Sequence, residues 1–571
     1  MFTSLPASSD ELMRMSWRDY EPYYRHLLGQ DLDASNLSGW LADWTRLRRA
    51  WYEVQQRLYV ASTVDTSSAE VDALFNRFLD DVYPQVQASD QQVKEKLLAS
   101  GIEPQWYRVP LRNLRAEAAL FSQENVPLLS EELRLAHEYE SIVGAQTAVW
   151  QGSEVPLPQL ALVYLDADRS ARERAWRLAS ARWLEDRQAI GDLWGRSLQL
   201  RTRMAANAGL PDYRSYRWQK QLRFDYTPED CRTFHRAIEK VVVPAALQVY
   251  EKRRQRLGVD PLRPWDLEVD PFGRPPLRPF DSMAELEAKT SAIFHAVDPQ
   301  LGAYFEIMRR EHLLDLDNRK SKAPGGYCTD FPIAERPFIF ANSIGVHDDV
   351  QTLLHEGGHA FHVFESAHLP YCWHAQIPWE FMEVASMSME LLGSPYLTVD
   401  HGGFYTPPQA ARARIEHLER SLLFWPYMAV VDAFQHWVYE NPAASSQPES
   451  CDVTWADLLQ RFIPGVDWSG LEQEMRTGWQ RKAHIHTDPF YYVEYGLAQL
   501  GATQVWANAL SDQAGAVAAY RRALALGDTA PLPDLFAAAG ARFAFDAGTL
   551  GEAVALILNT VEKLEKVSAQ E

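Results

Sequence analysis

The sequence predicts a mainly α protein with a small β-sheet beside one metal-binding helix. Three observations carry that expectation. Long stretches repeat apolar residues every 3.6 positions, only a few short runs read as strands, and one segment holds the pattern His-Glu-x-x-His, which a helix turns into a metal grip. The 571 residues, 46% of them hydrophobic, suffice for a large core in one to three lobes. A net charge of −21 argues against nucleic acid as a partner. The four cysteines, Cys231, Cys328, Cys372 and Cys451, are scattered without ligand spacing, as expected for reduced thiols in a cytoplasmic protein. No run approaches the ~20 apolar residues of a membrane span. Residues 1–25 lack the basic start and apolar stretch of an export signal, so the chain is expected to be cytoplasmic with no membrane partner.

The elements follow in order. Leu37, Trp40, Leu41, Trp44, Leu47, Trp51, Val54 and Leu58 keep helical spacing over about five turns, which predicts a long amphipathic helix with an aromatic core face. Helical patterns continue through 130–142, 168–207 and 228–257, with a short hairpin around 147–151. The proline-rich stretch 259–280 breaks the pattern and reads as a connection within the downstream region. Residues 519–528 look like one unit of a helical repeat, but no second copy follows at a fixed period. Residues 1–190 are expected to form an N-terminal helical region, and 191–571 a catalytic region.

In Leu353-Leu-His-Glu-Gly-Gly-His-Ala-Phe361, helical spacing places His355 and His359 one turn apart, where two imidazoles can hold one metal ion. Glu356 can then reach a water at that ion and take its proton, the layout of a zinc hydrolase. Zinc needs a third protein ligand. Glu383 is the best placed, on an otherwise apolar segment, 379–392, that should pack as a second helix. Glu390 is expected to orient a ligand histidine, and Glu380 is next in line as a ligand. Cys372 and His374 form only a weak ligand pair. Gly357 and Gly358 each cost about 1 kcal/mol in a helix interior. Their use would be a close approach, either of a facing backbone or of substrate.

Upstream, 337–343, containing Phe338 and Ile339, reads as a strand, followed by a turn at Gly345 and by Asp348 or Asp349 as the cap of the metal helix. An exposed edge of that strand could hold an extended peptide through main-chain hydrogen bonds, with Tyr327 on the flexible turn before it. The alternative is an ordinary buried strand. Downstream, 479–495 gathers His484, His486, Tyr492 and Tyr495. A phenol or imidazole there could stabilise the negative charge that builds on a carbonyl under attack, although aromatic residues at helical spacing also serve as core.

The run from Gly325 to Leu392, with Gly-Gly-Tyr327, Pro-Phe-Ile339, His-Glu-Gly-Gly-His-Ala-Phe-His362 and Met-Glu-Val-Ala-Ser386, resembles the oligoendopeptidase F and thimet oligopeptidase family of zinc metallopeptidases. Leu262-Arg-Pro-Trp-Asp-Leu267, Pro-Phe-Tyr-Tyr-Val-Glu-Tyr495 and the segment 532–540 extend the resemblance over most of the chain after about residue 190. It implies a two-lobed helical zincin of the gluzincin type with a deep central channel. His355, His359 and Glu383 would bind one zinc, Glu356 would be the base, Tyr492 and Tyr495 the transition-state donors and His484 a substrate contact. The spacing from His484 to Tyr495 is one residue longer than in close relatives, which keeps His486 as an alternative.

The expected activity is zinc-dependent hydrolysis of internal bonds in short unfolded peptides. A carboxypeptidase or dipeptidyl carboxypeptidase on the same architecture would instead need a cation for the substrate's terminal carboxylate. A catalytically silent peptide-binding protein is opposed by Glu356. A helical interaction scaffold would make the histidine motif accidental. Oligomeric state is not readable from the sequence.

Overall fold

The structure is a computed structural model that describes Phe2, Leu5, Pro6 and residues 8–571. Helices dominate it, and the expected long amphipathic helix, α1, runs Leu37–Val64. The stretch 168–207 divides at Asp186 into helices Arg169–Glu185 and Arg187–Asn207. The stretch 228–257 contains a π-turn at Ile238–Val242, next to Pro244, whose missing N–H breaks the regular ladder. The hairpin pairs β1 (Thr147–Trp150) with β2 (Ser153–Pro156) through Gln151 and Gly152, both at positive φ.

Two large apolar cores form, beside two small clusters, one of Val60, Phe331, Phe338 and Phe340 and one of Ala148, Leu160 and Ala175. One large core is built from residues 2–114 and takes in Tyr371 and Trp373; the other begins at Leu120 and holds most of the remaining helical body. The two large cores divide near 115–120. From 120 onward, residues such as Leu128, Leu135, Tyr139 and Trp194 belong to the larger core.

A three-stranded sheet lies beside the central helices, with β5 (Arg336–Ser343) flanked by parallel β3 (Leu314–Asp317) and antiparallel β4 (Tyr327–Phe331). This corrects the expectation of an exposed edge on 337–343. Both sides of β5 are paired, and the edge strand near the centre of the molecule is β4. Phe338 and Ile339 are buried core residues. From β5 the chain turns at Gly345 (φ 87°) into α2, His347–Ser366. Asp349 is the third residue of that helix and not its cap: its carboxylate accepts the backbone N–H groups of Ile344, Gly345 and Val346. Helix α3 (Trp379–Gly393) packs across α2, and the long α4 (Pro407–Glu440) and α5 (Tyr492–Ser511) complete the centre.

The paired glycines explain how α2 and α3 come so close. A Cβ on Gly358 would stand 2.5 Å from the Ala385 carbonyl oxygen and 2.6 Å from Ser386 Cα, so the backbone of α3 occupies that space. A Cβ on Gly357 would meet the Phe294 ring at 2.5 Å. Of the two uses expected for these glycines, the close approach is to protein.

Candidate active site

Crossing α2 over α3 at the glycines brings three donors together. His355 Nε2 lies 3.4 Å and His359 Nε2 3.9 Å from Glu383 Oε2, and one donor atom of each residue falls within 4.8 Å of the others. The i, i+4 spacing supplies the two imidazoles, and α3 supplies the carboxylate.

A second set of groups holds these donors in place. His355 Nδ1 is 2.7 Å from Glu390 Oε1, so its Nε2 points at the cluster. The other Glu390 oxygen is 2.7 Å from His417 Nε2 on α4. Glu383 Oε2 accepts from the Ser386 hydroxyl at 3.1 Å, and Oε1 accepts from the Tyr491 hydroxyl at 3.3 Å. Glu380 is committed elsewhere, accepting from Tyr226 at 2.6 Å beside the buried Arg223–Glu494 pair.

The electrostatics suit a cation. Burial alone would lower the pKa of His355, but hydrogen bonds to Glu383 and Glu390 outweigh it and hold the pKa well above the usual histidine range. Burial pushes Glu390 up, yet its bonds to His355 and His417 hold it at about 2. Burial lowers His359 to about 4, so it is the neutral imidazole a metal requires. Glu356 is raised to about 7, chiefly by burial and then by the neighbouring Glu383 and Glu390 carboxylates against the pull of His355. A divalent cation at the three donors would draw that pKa back down. The donor set, its outward-turned ring nitrogens and its net negative charge fit a zinc ion.

His355, Glu356, His359 and Glu383 open onto a cavity of 640 Å³ whose walls include α1 and the edge strand β4. His355 and Glu356 also line a cavity of 390 Å³ on their other side, which shares His347, Asp348, Glu416 and Arg420 with a third of 980 Å³. Neighbouring cavities thus share wall residues, with Glu356 on the wall between the first two, and all three donors face the 640 Å³ cavity. Tyr327 lines it, with its hydroxyl 2.5 Å from that of Thr63.

The tyrosine cluster is only partly as expected. Tyr495 lines the cavity, and so does Tyr491, which the sequence reading did not single out. The two are i, i+4 and share a face, with ring centroids 5.2 Å apart. Tyr492 turns the other way, against Phe424 and Tyr427, with Lys482 Nζ 4.0 Å from its ring. Phe490 sets this phase. It has φ 65°, and it is held there by its N–H to Gln435 Oε1 (2.7 Å) and by its carbonyl, which accepts from Arg223 at 2.6 Å. His484 stands among the tyrosine rings, 5.1 to 6.1 Å from them between centroids. His486 lies in the core, stacked on Tyr139 at 4.3 Å. His417 and His362 also escaped the sequence reading. His362 is buried at the cavity wall, with no hydrogen-bond partner among the described residues on either ring nitrogen.

The model of peptidase family M3 matches residues 162–553. No curated protein gives a significant match. Among solved structures, Pz peptidase A bound to an inhibitor is 28% identical, with both chains fully covered and a TM-score of 0.87. A protein provisionally assigned as oligoendopeptidase F is 27% identical over 98% of each chain, TM-score 0.87. Another with the same provisional assignment, from Bacillus anthracis str. Ames, shares the fold at 24% identity over 97% of each chain, TM-score 0.83.

Proposed function

The chain belongs to peptidase family M3, a family of metallopeptidases, and from that premise we propose that it is a zinc-dependent oligopeptidase cutting internal bonds of short, unfolded peptides. The observation that carries this reading is the convergence of His355, His359 and Glu383 at a channel wall, with Glu356 beside them and the free edge of β4 opposite.

In this reading the two histidines and Glu383 hold the ion, and Glu390, braced by His417, fixes the orientation of His355. Bound there, zinc would polarise the scissile carbonyl and acidify the attacking water. Glu356 takes the water's proton and delivers it to the leaving amine, a role its buried position keeps free of bulk solvent. Tyr495 donates to the carbonyl oxygen as negative charge builds on it, and Tyr491 steadies Glu383 through Oε1. The substrate backbone pairs with the edge of β4, which selects extended chains without reading many side chains. A narrow channel admits such chains and excludes folded domains.

Terminal-carboxylate recognition is disfavoured by the engagement of the three arginines that line the 640 and 390 Å³ cavities. Arg48 is paired with Asp90, Arg49 donates to the Leu369 carbonyl, and Arg420 is held by Asp348 and Glu416. Digestion of a mixed peptide library tests the reading. Cuts should fall at internal positions unrelated to distance from either end, and Glu356→Gln should retain zinc while losing about 10²–10⁴-fold in turnover. Cuts counted from the C-terminus would return the carboxypeptidase reading.

A further inference from the structure

Away from the channel, four metal-binding side chains meet between two helices. Helix Pro228–Ala237 carries Cys231 and His235, and α4 carries Asp432 and His436. Each pair is spaced i, i+4 and so faces one way from its helix. All four residues are buried, with Cys231 and Asp432 at 0% exposure. Cys231, Asp432 and His436 bring Sγ, a carboxylate oxygen and a ring nitrogen within 4.8 Å of one another. His235 Nε2 is 2.8 Å from Asp432 Oδ2, and His436 Nε2 is 3.3 Å from the same oxygen.

The valences left open matter as much as the distances. Asp432 Oδ1 is buried with no hydrogen-bond partner among the described residues, His436 Nε2 has only its 3.3 Å contact with Asp432 Oδ2, and the Cys231 thiol makes no hydrogen bond among the described residues. Open valences at buried polar atoms are costly, and here they fall within a group of donor side chains that lie within 4.8 Å of one another. Arg214 approaches the far side of His436 at 3.5 Å from Nδ1, the outer limit of a hydrogen bond, while its stronger bond goes to Glu440.

We propose that Cys231, His235, Asp432 and His436 bind a second, structural zinc ion that clips the two helices together. Sulfur, imidazole and carboxylate are donors that zinc accepts in one tetrahedral shell. A thiolate and a carboxylate cancel the ion's two charges, leaving a neutral buried centre. His235 completes the four by turning Nε2 from Asp432 to the ion. All four positions are then protein, as in a structural and not a catalytic site. The clip also bears on the channel, because the His436 ring packs 5.2 Å from that of Phe490, the residue whose backbone phases Tyr491.

Sulfur makes this test independent of the proposed catalytic centre, whose donors His355, His359 and Glu383 contain none. Purified enzyme should carry two equivalents of zinc per chain, and its cobalt(II)-substituted form should show a thiolate-to-cobalt charge-transfer band. Cys231→Ala should lose that band and one equivalent of metal. Cys328→Ala and Cys372→Ala, which remove the two cysteines lining the 640 Å³ cavity, should keep both. A cobalt form of the wild type without the band, or a band that survives in Cys231→Ala, overturns the proposal and leaves a metal-free His-Asp-His network. If Cys231→Ala does not fold, the wild-type spectrum and its persistence in Cys328→Ala and Cys372→Ala still decide.

Discussion

At the scale of single residues, the proposed mechanism gives Tyr491 and Tyr495 two different jobs that one sequence cluster left merged. The sequence offered an i, i+3 pair, Tyr492 and Tyr495, and the phase set by Phe490 at φ 65° replaces it with the i, i+4 pair 491 and 495. A left-handed phenylalanine is not readable from composition, since long-range bonds to Gln435 and Arg223 hold it. Tyr495→Phe should lower kcat by about 10²-fold with little change in KM, because the lost donor acts mainly in the transition state. Tyr491→Phe should instead weaken zinc retention, since its hydroxyl supports Glu383. Steady-state kinetics beside metal titration separates the two, and equal effects on kcat would refute the division. Glu390 was legible as a carboxylate on the same helix as Glu383, but His417, on a helix that begins further along the chain, carried no local signal. Glu390→Gln leaves His355 Nδ1 and His417 Nε2 without their charged partner and should cost about 10–100-fold in zinc affinity. Competition with a chelator would show it, and an unchanged affinity would remove Glu390 from the support of the metal.

At the scale of elements, the spacing of His355 and His359 needed only a helix, and the helix is there. The crossing that presents Glu383 to them needed Gly358, whose purpose becomes visible only against α3. Gly358→Ala places a Cβ 2.5 Å from the Ala385 carbonyl oxygen, where backbone must yield. The expected cost is about 1–3 kcal/mol, read by denaturant unfolding, together with weaker zinc binding because Glu383 lies one turn from the displaced segment. Gly357→Ala is the control. It strains the Phe294 ring instead, so it should destabilise the fold while sparing metal affinity more. Loss of zinc in both variants alike would mean that the α2–α3 spacing is not what positions Glu383. The sheet teaches the same lesson about local signals. The sequence identified 337–343 as a strand, but which strand had the free edge depended on pairing order, which places β4 outside.

At the scale of the whole molecule, the α1 periodicity foretold a core helix, and α1 turns out also to wall the channel with Arg48, Arg49, Trp51 and Tyr52. The chain between α2 and α3, the stretch that links His359 to Glu383, is anchored in the N-terminal core. Trp373, 1% exposed, packs 4.1 Å from the Trp44 ring with the Arg48 guanidinium 5.2 Å from its centroid. Alongside it, Arg49 donates to the Leu369 carbonyl at 3.0 Å, and the Cys372 N–H donates to Thr45 Oγ1 at 3.3 Å. The division between the two cores near 115–120 therefore does not free the N-terminal residues to act as a detachable cap, because the segment entering α3 is part of their core. We propose that this docking fixes the channel width and the entry of Glu383 together. Trp373→Ala should cost about 3–5 kcal/mol in stability, as burial of a large ring is lost and a cavity remains. It should also loosen zinc retention, although no ligand is altered. Trp373→Phe, which keeps an apolar ring against Trp44, should recover most of both. Calorimetry with metal titration checks the coupling. A Trp373→Ala protein that loses stability yet holds zinc as tightly as the wild type would show that α3 is positioned by α2 and α5 alone.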